Sequence, residues 1–322
     1  MKIKYLAKGI IKSIPGVEYI YHFRKGVGGI NYARYCYSVW LRHLIYARQN
    51  GWNTMPDRIL ELGPGNSLGV GIAALISGVN KYFAMDILKY SSEELNIQIF
   101  EELVALFRQK AAIPDEKEFP RTRPLLDDYS FPDALFSDER LHFLLSEERL
   151  NKIRNAIINM DKGDKNADEN MIVFLLPGRN EQYIKEASID MIVSQAVLQH
   201  INNIEDMYRY MSEWLKPDGL MSHGIDFKCI GTSDTWFGHW TYSDLEWKIV
   251  KGRNAFDINR EPYSTHIKLL KQNGFKIISA VKSTTEDIAP AKRLAKRFSD
   301  LSQEDLSTTS VFIQAIKEPL NA

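Results

Sequence analysis

A short apolar strand that runs straight into a glycine-bearing turn constrains this chain more than any other feature. Arg58-Ile59-Leu60-Glu61-Leu62 has the apolar character of a strand buried on both faces, and Gly63-Pro64-Gly65 follows at once. Leu68–Ser77 has a helical pattern, and a second strand, Tyr82-Phe83-Ala84-Met85, ends at Asp86. Strand, helix and strand in that order imply a parallel pair, because a long crossover is needed to return the chain in the same direction.

The pattern resumes further along. Met171–Leu176, Ile189–Ser194, Gly219–Phe227, Phe275–Val281 and Ser310–Ile316 are apolar runs of strand length. Helices are expected at Leu198–Leu215, which stops at Lys216-Pro217-Asp218-Gly219, and around Thr265–Asn273. The fold class is α/β: a doubly wound, seven-stranded, mostly parallel sheet.

Two stretches exceed a minimal version of that fold. Residues 1–55 carry apolar and aromatic side chains at helical spacing, broken at Gly26, Gly28, Gly29 and Gly51, and read as an N-terminal arm of two or three helices. Residues 91–168, charged and interrupted by Pro114, Pro120, Pro124 and Pro132, are far longer than an ordinary connection and are expected to form an inserted helical subdomain. That insertion is either a solvated elaboration or a substrate-recognition element. A chain of 322 residues with 44% hydrophobic residues suits one decorated domain, here residues 56–322, which also includes an aromatic-rich segment at 228–262.

Lysine plus arginine and aspartate plus glutamate both number 41, so no net field favours a polyanion, and no nucleic-acid partner is expected. The cluster Lys292-Arg293-Lys296-Arg297 reads as a solvated helix face. The amino end is different: Glu18 is the only acid in residues 1–50, against nine lysines and arginines. On a helix, Ile3, Leu6, Ile10 and Ile14 make an apolar stripe beside Lys4, Lys8 and Lys12. Such a helix either packs on its own domain, the plainer expectation, or lies on a membrane surface. Cys36 and Cys229 are far apart and offer neither a disulfide framework nor a zinc knuckle. No apolar run reaches membrane-spanning length, and lysines interrupt the first segment as they would not in a secretory signal. A cytoplasmic protein is expected, with a peripheral contact to the inner face of the membrane as the further option.

The turn after the first strand supplies the chemistry. Glu61-x-Gly63-x-Gly65 at a strand's carboxyl end puts backbone N–H groups where doubly wound sheets bind ligands, and Asp86 one strand over can accept from both hydroxyls of a ribose. A dinucleotide fingerprint would need glycine at position 68, which is Leu68, and Pro64 removes an N–H that a pyrophosphate would use. A phosphate-free nucleoside ligand fits better than a nicotinamide cofactor.

Three blocks then resemble the class I S-adenosylmethionine-dependent methyltransferases: ILELGPGNSLGVG as the first motif, YFAMD as the second-strand acid, and SIDMIVSQAVLQHI with LKPDGLMSHGIDF as the fourth and fifth strands. They cover about residues 58–227 without the insertion. The resemblance implies S-adenosylmethionine as cofactor, with Glu61, Gly63 and Gly65 beside its methionyl part and Asp86 on the ribose. It also implies Gly178 and Arg179, with Pro177, near the adenine, and Ser194 and Gln195 closing the pocket. The third turn departs from the family, since Leu176-Pro177-Gly178 lacks the acid that many members place at the adenine amino group.

The acceptor must be read from residues near the ends of the later strands. If it is an alcohol it needs a base, and the candidates are Asp226 first, then His239 and His223, with His200 and His266 also in range. His200 is expected chiefly to line the pocket. Trp236, Phe237, Trp240, Tyr242 and Trp247 stand among polar residues and suit the mixed surface of a sugar, or else tuck the loop onto the core. Arg253, Asn259, Arg260 and Glu261 extend that lining, with the arginines suited to an acceptor carboxylate or phosphate. No ligand spacing demands a metal, and none is expected.

The reading is a methyltransferase that O-methylates a sugar, nucleotide-linked sugar or glycan, with a resemblance to bacterial enzymes of surface-polysaccharide synthesis. The alternatives are methylation of another small metabolite or a lipid head group, and a non-catalytic S-adenosylmethionine-binding regulatory protein.

Overall fold

The computed structural model describes residues 2–12, 31–160, 169–179, 181–252 and 258–319. The expected breaks at Gly26, Gly28 and Gly29, the end of the insertion at 161–168, and Arg253 lie outside the described residues.

All seven expected strands form: β1 Arg58–Leu62, β2 Lys81–Met85, β3 Ile172–Leu175, β4 Ile189–Gln195, β5 Leu215–Asp226, β6 Phe275–Thr284 and β7 Thr308–Lys317. They make one sheet in the order β3-β2-β1-β4-β5-β7-β6. The first five run parallel, and β7 lies antiparallel between β5 and β6. Order reverses between β1 and β4, the point at which such sheets open a crevice for a ligand.

Alternate strand residues feed two helical layers, as the pleat requires. Ile59, Tyr82, Val193 and Leu220 face α2 (Ala33–Gln49), α3 (Gly69–Ile76), α4 (Glu93–Arg108), α5 (Asp138–Leu144) and α6 (Glu147–Asn159). Leu60, Phe83, Ile192 and Met221 face α7 (Ile204–Trp214) and α9 (Tyr263–Gln272). The helices start where their sequences supply caps: Ser92 accepts from Leu95 N–H at α4, and Asn203 from Asp206 N–H at α7. The cap at Asn203 shortens the helix expected over Leu198–Leu215, leaving a separate 3-10 turn at Leu198–His200.

The described part of the insertion has no core of its own. Phe100, Phe107, Phe136, Ile153 and Ile157 share one apolar cluster with Tyr37, Trp40 and Leu41 of α2 and with Ala73 and Ile76 of α3. Between α4 and α5 the backbone is irregular, and its buried carbonyls need donors. Helix α2 supplies them: Tyr37 Oη donates to Ala111 O (2.7 Å), Ser38 Oγ to Pro114 O (3.0 Å), and the buried Arg42 guanidinium to Pro114 O (2.8 Å) and Pro124 O. Helix α2 and the insertion therefore pack as one layer on the sheet.

The remaining elements gather past β5. Helix α8 (Asp244–Lys251) opens with a capping box between Ser243 and Glu246, and α1 (Lys2–Lys12) packs against it. A last short helix, α10 (Gln303–Ser307), precedes β7. Among the described residues no helix is long and apolar enough to cross a membrane.

Candidate functional site

Register builds the site. Leu62 lies level with Met85 and Ser194, and Met85 with Leu175, so Gly63, Asp86, Leu176 and Gln195 come out along one carboxyl edge. Gly63 and Gly65 have φ of +66° and +70°, where a side chain is strained, and a Cβ on Gly63 would lie 2.5 Å from Val197 Cγ2. The turn is pinned from β2: Gly63 N–H donates to Met85 O (2.7 Å) and Gly65 N–H to Asp86 Oδ2 (3.2 Å). Asp86 Oδ1 accepts from Ile87 N–H (2.7 Å). Burial raises the Asp86 pKa, and the backbone N–H groups pull against that rise. The carboxylate stays partly exposed on the carboxyl edge, beside the turn that follows β1.

Glu61 sits differently. It is buried on the α3 side of the sheet, where its carboxylate accepts from Tyr82 Oη (2.5 Å) and from the Gly71 backbone. Burial lifts its pKa to about 7. Gly71 has no room for a side chain, since a Cβ there would come within 2.0 Å of the Tyr82 ring. Glu61 thus braces β1, β2 and α3 together beneath the turn instead of facing the open edge.

Residues Leu176-Pro177-Gly178-Arg179 make a turn closed by Arg179 N–H to Leu176 O (3.0 Å), with Gly178 at φ +75° and Pro177 before it, the requirements of type II. All of 177–179 is exposed. Ser194 Oγ bonds His223 Nδ1 (2.7 Å) inside the α7 layer, whereas Gln195 faces the other way. The Gln195 amide lies over Gly224, whose added Cβ would sit 2.8 Å from Oε1, and it also meets the buried His43 side chain of α2. Gln199 Oε1 is buried without a hydrogen-bond partner.

Two features of this edge escaped the sequence reading. Ile87 and Leu88, half exposed immediately after Asp86, offer an apolar platform, and an apolar pair directly behind a strand-ending acid was the available signal. Asn96 of α4 accepts from Leu68 N–H (2.9 Å) just before α3. No local pattern could have announced that contact across 28 residues.

Of the three residues put forward as bases, only Asp226 is open to solvent. It projects two residues past the level of Gln195 and Gly224, is 33% exposed, accepts from Lys228 N–H (2.9 Å), and has Lys228 Nζ 3.4 Å away. His223 lies on the opposite face of β5, fully buried. His239 is packed with its ring centroid 4.7 Å from that of Trp240. Burial lowers both imidazoles to about 3, with repulsion from Arg260 adding to the effect at His239, so both are neutral. His266 is enclosed as well, bonded to Tyr208 Oη (3.0 Å), while His200 remains partly exposed on the turn after β4. Among the described residues no three His, Cys, Asp or Glu side chains gather as metal ligands would.

The aromatic segment turns inward. Tyr242 and Trp247 cluster with Tyr5, Val250 and Ile258, and Phe237 and Trp240 with Ala289, Phe298 and Leu306. Arg260, expected to grip an acceptor anion, is instead buried between Trp247 and Phe298 (5.1 Å to each ring) and spends its guanidinium on Tyr242 O (2.9 Å) and Asp244 (2.5 Å). Asn259 Nδ2 donates to Leu198 O (2.8 Å) and Ile201 O (2.9 Å), and Glu261 pairs with Arg297 (2.6 Å). These polar groups fasten the segment, leaving Trp236 the half-exposed aromatic. The basic 292–297 cluster forms two 3-10 turns rather than one helix, and Phe298 anchors them.

Residues 156–222, which contain β3, β4, α7 and the first part of β5, match a protein-family model described as a methyltransferase domain. The match is to a methyltransferase domain and spans the middle of this sheet, from β3 into β5. No curated protein matches the sequence significantly. Loose structural likenesses include an S-adenosylmethionine-dependent methyltransferase from Mesorhizobium loti (14% identity, 83% of this chain and 97% of that one, TM-score 0.38). Another is a protein proposed to be of the same kind from Listeria monocytogenes (15%, 87% and 98%, TM-score 0.41). A third is phosphoethanolamine N-methyltransferase 2 of Haemonchus contortus in complex with S-adenosyl-L-methionine (13%, 87% and 53%, TM-score 0.40).

The edge fits that cofactor. Residues 61–70 contain no cation for a pyrophosphate, Asp86 offers a carboxylate to vicinal hydroxyls, and Ile87 and Leu88 offer an apolar surface to a purine.

Proposed function

We propose that the chain O-methylates a hydroxyl-rich acceptor of the sugar class, free, nucleotide-linked or within a glycan, at the edge between β4 and β5. The observation that carries this reading is Asp226, an ionisable group in range of the edge with its oxygens partly in solvent. Gly63, Gly65 and Asp86 hold the donor, Gly178 and Arg179 border its base, and Gln195 closes the pocket. Glu61 acts through the turn it braces, and Ser194 through its bond to His223. Bound there, the sulfonium supplies an activated methyl group. As the methyl–sulfur bond breaks to leave a neutral thioether, the acceptor oxygen becomes an ether and Asp226 takes the proton it releases.

The inward turn of the aromatics removes stacking as support for a sugar, so the acceptor class rests on the hydrogen-bonding rim alone. Incubation with methyl-labelled S-adenosylmethionine and a panel of sugar nucleotides, glycans, lipid head groups and small amines tests it. Label in a carbohydrate oxygen is the expected result. Label only in an amine or a head group would overturn the sugar reading.

A further inference from the structure

Helix α1 is amphipathic in an unexpected sense. Its inner face is formed by Tyr5 and Gly9: Tyr5 is buried beside Tyr242 and Trp247 and donates to Asp234 Oδ1 (2.5 Å). Gly9 lies so close to α8 that a Cβ would come within 2.0 Å of Ile249 O. Lys2 Nζ adds a bond to Thr241 O (2.6 Å). Two residues of the stripe foreseen as a packing face point outward instead, Ile3 80% and Ile10 61% exposed, with Ile11 51% exposed beside them; Leu6 packs partly buried against the Tyr5 cluster, and Ile14 lies outside the described residues. At about 100° per residue the three exposed isoleucines fall on the side opposite Tyr5 and Gly9. Lys4 and Lys8, both exposed, run along the margin of the stripe, and the helix contains no acid.

We infer that α1 docks on the surface of an anionic bilayer, its isoleucines in the acyl boundary and its lysines among the head groups. Charge complementarity selects this occupant, since an all-cationic margin around bare isoleucines suits a negatively charged lipid plane. The inference goes beyond the proposed activity and is independent of the acceptor. Because the other face of α1 is fixed to residues 234–249, docking would hold the segment that follows β5 at the membrane.

The test is co-sedimentation of the full chain with vesicles of phosphatidylcholine, alone or mixed with phosphatidylglycerol. Sedimentation with the mixed vesicles, lost on raising salt or omitting phosphatidylglycerol, is expected. The double variant Ile3→Ser/Ile10→Ser should lower partitioning at least tenfold, as expected for removing even one buried isoleucine. Both side chains are exposed, so its melting temperature and S-adenosylhomocysteine affinity should not change. Absence of wild-type binding to the mixed vesicles, or undiminished binding by the variant, would overturn the inference. So would a wild-type dimer that the same substitutions convert to monomer while no vesicle binding occurs, since a second copy would then cover the face.

Discussion

Asp226 and Glu61 are both carboxylates on the same sheet, yet their surroundings assign them opposite work. Asp226 at the end of β5 is open and beside a lysine, so Asp226→Asn should lower kcat by about 10²–10⁴-fold while S-adenosylhomocysteine affinity stays unchanged. Equal turnover would remove it as the base. Glu61 is enclosed, and burial lifts it from the ordinary 4.5 to about 7. An acid raised in this way stabilises the fold fully below its unfolded pKa, and the contribution fades as pH climbs toward the folded value. Glu61→Gln keeps an acceptor for Tyr82 and does not titrate. From pH 4.5 to 7 the stability of the variant should therefore rise relative to the wild type, by roughly 3 kcal/mol at most. A constant difference in urea midpoints over that range would contradict the pKa.

Elements were legible in this sequence to the degree that their burial is simple. Strands β1 to β5 lie under helices on both faces, and their apolar runs announce them. The seven strands could thus be read from the chain, together with the turn at Gly63 and the acid at Asp86. The orientation of the aromatic segment could not, because Trp240 and Tyr242 look alike in sequence whether they stack on a ligand or fill a core. The outward face of α1 was hidden for a related reason: Gly9 belongs to the inner face because the α8 backbone at Ile249 comes too close there for any side chain. The union of α2 with the insertion rests on side chains of α2 that reach carbonyls some seventy or eighty positions away. At this scale the β1–α3–β2 unit makes its own prediction. Gly71→Ala drives a methyl into the Tyr82 ring and should cost about 1–3 kcal/mol in urea denaturation, and no loss would mean that the ring moves freely.

Among the described residues of the whole molecule, four imidazoles are sealed in the neutral form. His43 bonds Ser222 Oγ (2.6 Å), joining α2 to β5, and His223, His239 and His266 are packed as described. Burial lowers each to about 3. A base depressed by folding stabilises the protein above its unfolded pKa near 6.5, and that stability is lost as pH falls toward the folded value. Each contributes about 1.4 kcal/mol per pH unit, so together they outweigh the opposite trend of Glu61. Denaturation midpoints should drop steeply below pH 6.5, and a flat profile between pH 6.5 and 5 would show that these histidines reach solvent.

The central claim is that the edge formed by the Gly63–Gly65 turn and Asp86 holds S-adenosylmethionine, and calorimetric titration of the full chain tests it most directly. S-adenosylhomocysteine should bind the wild type and NADH should not. Asp86→Ala, with its circular dichroism unchanged, should weaken S-adenosylhomocysteine by about 1–3 kcal/mol, the cost of lost hydrogen bonds to a charged partner. Unaltered affinity in that variant, or a preference of the wild type for NADH, would contradict the account.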